Sequence, residues 1–352
     1  MTPNVTFISL PFAAAFVVAM IFAPGMIAAL KRRGVRQTIS EDGPASHKSK
    51  AGTPTMGGLI IIAGILGGTL AGVWFFRPFT SPQGSSTSWI PTLFALLVLG
   101  LSYGALGFID DYLTIHPVGQ VRGISSKPKS ALQILLAAGF LAYLAIAHKQ
   151  TFSPVLFVGG TQLISGWLYW AFALFFMVGM ANFVNISDGL DGLVSGLVAI
   201  AAIAFTLLLI FVGLRHATES REIALLMPAI AGACLAFLWF NANPARVFMG
   251  DTGALAIGVL LPAVAIITHT EIPMIILSLV FVFDGLSSAL QWAVFKFTRI
   301  TTGTGRRVFK KSPIHHHFEL SGWSEQTVVV RFWICGVIAA LMTLAGIGME
   351  WW

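Results

Sequence analysis

Apolar runs of about 20 residues recur along almost the whole of this 352-residue chain. A helix of that length is what crosses a hydrocarbon core of roughly 30 Å. A water-soluble globule could not cover so many apolar segments, because 56% of the residues are hydrophobic and only 10% are charged. The sequence therefore predicts an integral membrane protein and excludes a large soluble domain.

Ten of these runs are predicted to be membrane-spanning helices, which gives an all-α polytopic fold in a single domain, residues 1–352. The first run is followed by the basic stretch "KRRGVR" and lacks a small-residue cleavage site, which favours a retained helix over a removed signal peptide. The predicted spans are 6–30, 55–76, 90–110, 129–148, 166–184, 191–213, 222–242, 253–269, 272–298 and 328–350.

The basic residues indicate the orientation, because lysine and arginine accumulate in cytoplasmic loops. Four segments hold 17 of the 21 basic residues: 31–54, 111–129, 243–252 and 296–331. These loops are expected in the cytoplasm, with both termini in the periplasm. In the outer loop 153–165, Gly159-Gly160 divides two β-prone runs, which predicts a small periplasmic β-hairpin.

Two adjacent carboxylates, Asp110 and Asp111 in "GFIDDY", fall at the C-terminal end of the third predicted span. The helix dipole already presents partial negative charge there, so the pair calls for a compensating cation. Basic side chains or a divalent metal would serve, and oxygen-only ligands suit Mg²⁺. The alternative is two solvated acids at a helix end.

Two junctions between spans carry further acids and amides. In "NFVNISDGLDGL", residues 182–193, Asp188 and Asp191 would share a face if the next helix began by residue 188. In "WFNANPARVFMGDTGALAIG", residues 239–258, Asp251 or Thr252 is expected to cap the eighth span. Capping accounts for one residue at each junction, and a helix N-terminus among such residues is also a natural phosphate seat.

Three adjacent histidines, His315, His316 and His317, follow in "KSPIHHHFE". Consecutive helical residues point about 100° apart, so three in a row rarely chelate one ion. Asp284 alone lies well inside a span, where an unpaired charge is costly. We expect a helix break there, with Asp284 or Ser287 capping a second half-helix.

Five strings carry a resemblance to a known family: "GTPTMGG" (52–58), "DDY" (110–112), "NISDGLDGL" (185–193), "NPARVFMGDTG" (243–253) and "PIHHHFEL" (313–320). With them the chain resembles the polyprenyl-phosphate N-acetylhexosamine-1-phosphate transferases, most closely the phospho-N-acetylmuramoyl-pentapeptide transferase family. The resemblance covers nearly the entire chain. It implies transfer of phospho-MurNAc-pentapeptide from UDP-MurNAc-pentapeptide to undecaprenyl phosphate, which yields lipid I and UMP in peptidoglycan biosynthesis.

The resemblance also implies a setting for this reaction. The enzyme would be a multi-pass protein of the bacterial cytoplasmic (inner) membrane, surrounded by the lipid bilayer, with its active site on the cytoplasmic face. It would depend on Mg²⁺ and form a homodimer, and no nucleic acid partner is expected.

Site residues follow from the same resemblance. Asp251 matches the principal magnesium ligand, and Asp110 is the candidate for deprotonating or orienting the lipid phosphate, while a metal role for Asp110 and Asp111 stays open. Lys129 matches a basic residue of the active site, and His315, His316 and His317 are expected to orient phosphate or sugar groups or to support the acids. Eight further residues match positions that line the nucleotide pocket of the family: Lys50, Thr55, Asn185, Asp188, Asp191, Asn241, Phe248 and Gln291.

For two of these pocket residues a simpler explanation stays open. Lys50 can bind phosphate or act only as an inside-facing topology lysine. Phe248 can stack on uracil or belong to the core.

Two alternative functions are kept. A related GlcNAc-1-phosphate transferase would share most motifs, although the uninterrupted "HHH" followed by "FEL" favours the muramoyl substrate. A secondary transporter would place acids near the membrane midplane and show repeat symmetry. Here nearly all acids fall at one set of helix ends, and no internal repeat is evident.

Overall fold

The structure is a computed structural model that describes residues 6–35, 52–80, 90–117, 123–149, 152–158, 160–216 and 221–348. Within these residues, ten helices are long and apolar enough to cross a membrane. This confirms the predicted all-α polytopic class and the predicted number of spans. Lys50 lies outside the described residues.

The chain contains twelve described α-helices, a short 3₁₀ helix at Arg221–Leu225 and one two-stranded sheet. All of the α-helices except α9 and α11 are candidate spans. The elements are α1 (Thr6–Arg32), α2 (Gly58–Thr80), α3 (Ile90–Ile115), α4 (Ser126–Ala147), β1 (Val155–Val158), β2 (Thr161–Ser165), α5 (Trp167–Ser187), α6 (Leu193–His216), α7 (Leu226–Asn241), α8 (Gly250–Ile267), α9 (Glu271–Leu277), α10 (Leu279–Thr302), α11 (Ile314–Glu319) and α12 (Glu325–Gly348).

Helix α8 is the most enclosed of the ten candidate spans, with 89% of its most apolar stretch buried. It packs against α3 on one side and α5 on the other. Such a helix can be apolar all round because its backbone groups bond within the helix and its surface faces only protein. The enclosed position fixes where the first turn of α8 lies relative to its neighbours.

Two glycines let neighbouring backbones touch that first turn directly. A Cβ atom at Gly58, the first residue of α2, would lie 2.1 Å from the backbone nitrogen of Gly253. A Cβ atom at Gly107 of α3 would lie 2.2 Å from the carbonyl oxygen of Asp251. Only glycine fits such contacts, so α2 and α3 hold the N-terminus of α8 through their backbones.

The predicted hairpin is confirmed. β1 and β2 pair antiparallel, with Val155 opposite Ser165 and Val158 opposite Thr161. Gly160 has a φ of +75°, a left-handed conformation that suits a tight hairpin turn.

The expected break at Asp284 is wrong. α9 ends at Leu277, and α10 begins at Leu279 and continues through Asp284 to Thr302. The Asp284 carboxylate is instead bound by His315, through the ring Nδ1 at 2.7 Å and the backbone N–H at 3.3 Å. The Ser287 hydroxyl accepts from the Ile314 N–H at 2.9 Å, so Asp284 and Ser287 bind the first N–H groups of α11 rather than those of a second half of α10.

Two helix ends also differ from expectation. α5 ends at Ser187 and α6 begins at Leu193, so Asp188 and Asp191 lie in the turn between them rather than on a helical face. The condition under which they would share a face is not met, because Gly192, with a φ of +79°, completes the turn before α6 begins. α3 continues to Ile115, about one turn beyond the acid pair.

Glu271 is the first residue of α9 and lies at the opposite end of the bundle. Its buried side chain accepts a hydrogen bond from the Tyr169 hydroxyl. Burial raises the pKa of Glu271 to about 7, against the opposing effect of that hydrogen bond. The folded protein therefore holds a proton that the unfolded chain releases, so stability is lost as the pH rises from about 4.5 to 7.

We expect the apparent Tm of the detergent-solubilised protein to be higher at pH 5 than at pH 8. A Glu271→Gln variant should show a smaller drop in Tm between pH 5 and pH 8. It removes a pH-dependent contribution to the free energy of unfolding on the order of 3 kcal/mol. The two Tm values of each protein are measured by thermal unfolding. An equal drop in wild type and variant would contradict the assignment.

Candidate active site

The site is assembled from helix ends at one end of the bundle. The C-terminal ends of α3, α5 and α7 meet the N-terminal ends of α4 and α8 there, and hydrogen bonds join the side chains that they carry. In the sequence, the basic segments 111–129 and 243–252 connect α3 to α4 and α7 to α8, whose ends form this site.

The Asp251 carboxylate, in the first turn of α8, is the centre of this network. Lys129 Nζ of α4 bonds to its Oδ2 atom. Asn185 Nδ2 of α5 donates to its Oδ1 atom at 2.8 Å. The same Lys129 Nζ lies 3.4 Å from Asp110 Oδ2, so one ammonium group bridges two carboxylates. The compensating cation that the acid pair called for is thus present as a lysine.

Asp110 is the more accessible member of the acid pair. Its Oδ1 atom accepts a hydrogen bond from the Ile124 N–H at 2.7 Å. The other oxygen faces Lys129, and the side chain retains 15% of its accessible surface. One carboxylate oxygen of Asp110 therefore faces the same space as the Asp251 carboxylate.

Asp111 is buried and turned toward α8. Its Oδ1 accepts from the Asp251 N–H at 3.1 Å, and its Oδ2 accepts from the Thr252 N–H at 3.0 Å and the Thr252 hydroxyl at 2.6 Å. Two of these donors are free N–H groups of the first turn of a helix. The expectation that Asp251 or Thr252 caps α8 is therefore wrong: both residues lie inside the first turn, and Asp111 from α3 supplies the cap.

The turn between α5 and α6 places Asp188 beside the same helix start. Its Oδ2 atom accepts from the Gly250 N–H at 3.2 Å. Withdrawal of the carboxyl from water, together with the negative charges of Asp251 and Asp111, raises the pKa of Asp188 to about 7. Three carboxylates thus surround the N-terminus of α8.

Asp191 joins this turn to the loop 243–249. Its Oδ2 accepts from Asn243 Nδ2 at 3.1 Å and from the Ala245 N–H at 3.0 Å. Its own backbone N–H donates to Glu325 Oε1 of α12 at 2.8 Å. Asn243 and Glu325 were not among the predicted site residues. The sequence could have indicated both residues, because Asn243 and Glu325 fall at the same set of predicted helix ends as the predicted acids.

Asn241 uses its whole side chain to hold that loop. Its Oδ1 atom accepts from the Gly192 N–H and the Ser195 hydroxyl, each at 3.1 Å, and its Nδ2 donates to the Val247 carbonyl at 3.0 Å. The side chain is buried. In this arrangement Asn241 fixes the turn and the loop relative to each other.

His315, the first of the three histidines, is fully buried and paired with Asp284 of α10. Its other ring nitrogen, Nε2, is buried with no hydrogen-bond partner among the described residues. That atom points at the turn between α5 and α6, since a Cβ atom at Gly189 would lie 2.6 Å from it. His315 therefore packs under the turn that carries Asp188 and Asp191.

The other two histidines have different partners. His316 Nδ1 lies 2.7 Å from Glu319 Oε2, and His317 Nδ1 accepts from the Lys310 N–H at 3.1 Å. Burial lowers the pKa of His316, although the contact with Glu319 opposes that shift. Each histidine of the run thus makes a separate contact.

Thr55 and Phe248 lie on two segments that are bonded to each other. The Phe248 N–H donates to the Pro54 carbonyl at 2.8 Å, and the Gly57 N–H donates to the Phe248 carbonyl at 2.8 Å. Thr55 is buried beside Gly250, where a Cβ atom would lie 2.8 Å from its Oγ1 atom. The structure therefore brings both residues to the start of α8.

Gln291 is directed to a different segment. Its Oε1 atom accepts from the Val308 and Phe309 N–H groups at 3.0 and 2.8 Å, and its Nε2 donates to the Phe309 carbonyl at 3.2 Å. Gln291 and His317 thus hold the 308–310 segment, whereas Asp110, Asp111, Lys129, Asn185 and Asp188 converge on the first turn of α8.

Asp110 and Asp251 are the groups best suited to hold a divalent cation. Their oxygens already face one cation, Lys129 Nζ, and carboxylate oxygens are the ligands that hard cations prefer. Among the described residues there is no cluster of three or more histidine, cysteine or acidic side chains arranged as a complete metal site. A hard cation held here would take its remaining ligands from phosphate and water.

Comparison with known proteins identifies the family. The model of glycosyl transferase family 4 matches residues 93–269, and signature 1 of phospho-N-acetylmuramoyl-pentapeptide-transferase matches residues 50–62. Proteins of Bacillus pumilus (strain SAFR-032) and Bacillus subtilis (strain 168) are each 41% identical over 339 residues, 96% of this chain and 96% of theirs. A protein of Geobacillus kaustophilus (strain HTA426) is 40% identical over 347 residues, 98% of each chain.

All three relatives carry the name phospho-N-acetylmuramoyl-pentapeptide-transferase. Identity at this level over almost the full length of both chains, together with the motifs gathered around the first turn of α8, leaves the transporter alternative without support. This multi-pass membrane protein belongs to the phospho-N-acetylmuramoyl-pentapeptide-transferase family.

Proposed function

We propose that this chain transfers phospho-MurNAc-pentapeptide from UDP-MurNAc-pentapeptide to undecaprenyl phosphate, giving lipid I and UMP for peptidoglycan synthesis. The observation that carries the proposal is the convergence of Asp110, Lys129 and Asn185 on the Asp251 carboxylate at the N-terminus of α8. Two anionic substrates need cations to offset their charge there. Lys129 supplies one, whereas the N–H groups at the start of α8 are already bound by Asp111 and Asp188.

The reaction joins an oxygen of the lipid phosphate to the sugar-side phosphorus of the nucleotide and breaks the bond from that phosphorus to UMP. Transfer of this kind depends mainly on positioning and on neutralising the charge of the phosphate oxygens. We assign Asp110 to orienting or deprotonating the lipid phosphate, since one of its oxygens is partly exposed beside Lys129. Lys129 would then contact the anionic substrates directly.

Asp111 has a different proposed role. It holds the first turn of α8 through three hydrogen bonds and therefore positions Asp251. We assign Thr55, Asn185, Asp188, Asp191, Asn241, Phe248 and Gln291 to the nucleotide pocket or its support, with Lys50 completing it. His315, His316 and His317 are assigned to holding the acidic turn and the 308–310 segment that border the pocket.

Mg²⁺ is the proposed cofactor, with Asp251 as its principal protein ligand and Asp110 as a second. The donor chemistry fits, because Mg²⁺ is usually held by one or two carboxylates together with substrate phosphates and water. When bound, the ion neutralises charge on the phosphate oxygens during transfer. Asp251 and Asp110 would hold the ion, and Lys129 already supplies positive charge to both carboxylates.

We further propose that residues 1–352 form one catalytic domain in the bacterial cytoplasmic (inner) membrane and act as a homodimer. The distribution of lysine and arginine supports an active site on the cytoplasmic face and termini in the periplasm, because 17 of the 21 basic residues fall in the four sequence segments predicted to be cytoplasmic. Placement at that face allows a soluble nucleotide to meet a lipid phosphate.

The test is UMP release by the purified protein with undecaprenyl phosphate and MgCl₂. We expect release with UDP-MurNAc-pentapeptide to exceed that with UDP-GlcNAc by about 100-fold or more. Addition of excess EDTA should stop release, and added MgCl₂ should restore it. Faster release with UDP-GlcNAc would favour the related GlcNAc-1-phosphate transferase, and no UMP from either nucleotide would contradict the enzyme assignment.

A further inference from the structure

Polar groups of α3, α4 and α5 meet inside the bundle, one or two helical turns from the active site. The Tyr103 hydroxyl of α3 donates to the backbone carbonyl of Gln133 in α4 at 2.6 Å. Asn182 Nδ2 of α5 donates to Gln133 Oε1 at 2.8 Å, and Gln133 Nε2 donates to Asn182 Oδ1 at 3.4 Å. Tyr103 and Gln133 are fully buried. We call these three residues the polar node.

Each member of the polar node lies on the same helical face as a side chain of the active site, one or two turns away. Separations of three, four and seven residues bring side chains onto one face of a helix. The pairs, node residue first, are Tyr103 and Asp110, Gln133 and Lys129, and Asn182 and Asn185. The three helices that the node joins are therefore the three that send side chains toward Asp251.

α4 depends on this node more than its neighbours do. Only 28% of its most apolar stretch is buried, against 89% for α8. Side-chain packing therefore constrains the rotation and axial position of α4 weakly. Lys129, near the start of α4, must nevertheless reach both Asp251 and Asp110.

Polar groups in an apolar bundle are costly unless they are paired, and apolar side chains of similar size would pack at least as well. A paired amide has a property that an apolar contact lacks, because its two hydrogen bonds form in only one register of the two helices. We propose that the polar node sets the register of α4 against α3 and α5 and thereby positions Lys129 between the two carboxylates. The inference rests on the proposed function.

The experiment compares four variants of the polar node and one control variant with wild type, after UMP release by the wild-type protein has established the function. Gln133→Leu and Asn182→Leu each remove the amide pair between α4 and α5, although Asn182 keeps its bond to the Val178 carbonyl at 2.7 Å in the first of them. Tyr103→Phe removes one hydrogen bond without changing the ring. The exchange variant Gln133→Asn with Asn182→Gln keeps an amide pair of the same total length. For each we measure kcat, KM for the nucleotide substrate, and the apparent Tm.

We expect both leucine variants to lower kcat about tenfold and Tyr103→Phe about threefold, with KM within about twofold, because small misplacements of a catalytic group lower the rate of the chemical step. The exchange variant should recover kcat to within about threefold of wild type. If the leucine variants do not accumulate, Tyr103→Phe and the exchange variant decide the question.

Thr92→Val is the matched control. Thr92 is also buried and bonds to His148 Nε2 at 2.6 Å, so it links α3 to the far end of α4. Its loss should lower Tm without lowering kcat. The proposal is overturned if the variants of the polar node lower only Tm, or if the exchange variant does not recover kcat. It is also overturned if Thr92→Val lowers kcat as much as the leucine variants do. An inactive wild-type protein would instead overturn the proposed function.

Discussion

Asp251→Asn is expected to lower UMP release by about 10³-fold, because it removes the charge of the carboxylate at the centre of the site. Asp251 is the carboxylate on which Lys129 and Asn185 converge, and it is our principal Mg²⁺ ligand. The variant keeps the size and shape of the side chain but removes its charge. We measure kcat and KM across a range of MgCl₂ concentrations, and we measure nucleotide affinity separately by a binding assay.

Glu271→Gln provides the control for this experiment, because it makes the same kind of change in a buried acid at the opposite end of the bundle. Its kcat should stay within about twofold of wild type, since additivity holds for distant sites. Asp251→Asn should keep a Tm close to that of wild type, because the backbone contacts of Gly58 and Gly107 still hold its helix. A rate within tenfold of wild type would remove Asp251 from the centre of the site.

The sequence predicts the number of spans and the set of helix ends that forms the site because both depend on local patterns. A run of about 20 apolar residues indicates a span by itself, and "NPARVFMGDTG" indicates a junction by its proline and glycines. The resemblance then assigns Asp251, Lys129 and Asn185 to one site, and the structure joins these three side chains directly.

The features that the sequence does not predict depend on contacts between distant parts of the chain. Asp111 caps a helix that begins 139 residues later, and no pattern near Gly250 shows where that cap comes from. The partner of Asp284, His315, lies in another element, so the sequence around Asp284 alone predicts a helix break that the structure does not have. The register that the polar node enforces is likewise visible only once α3, α4 and α5 are placed side by side.

Asp110→Asn is expected to lower mainly kcat, whereas Asp111→Asn, one residue away, is expected to lower both kcat and Tm. Asp110 contributes a partly exposed carboxylate beside Lys129, so its amide should lower kcat by 10²–10⁴-fold, the range for a lost general base. KM for the nucleotide should stay within about threefold, and Tm should change little, because the amide oxygen can still accept from the Ile124 N–H. Steady-state kinetics and thermal unfolding of the same preparations test both expectations.

Asp111→Asn should lower Tm as well as kcat, because an amide cannot accept all the donors at the start of α8. The carboxylate accepts from the Asp251 and Thr252 N–H groups and the Thr252 hydroxyl, whereas an asparagine offers one acceptor oxygen and turns an NH₂ group toward a donor. A buried donor left without a partner costs about 1–3 kcal/mol. If Asp111→Asn kept the wild-type Tm and lost only kcat, Asp111 would be a reacting or metal-binding group like its neighbour. If Asp110→Asn kept the wild-type kcat, Asp110 could not be the group that orients or deprotonates the lipid phosphate.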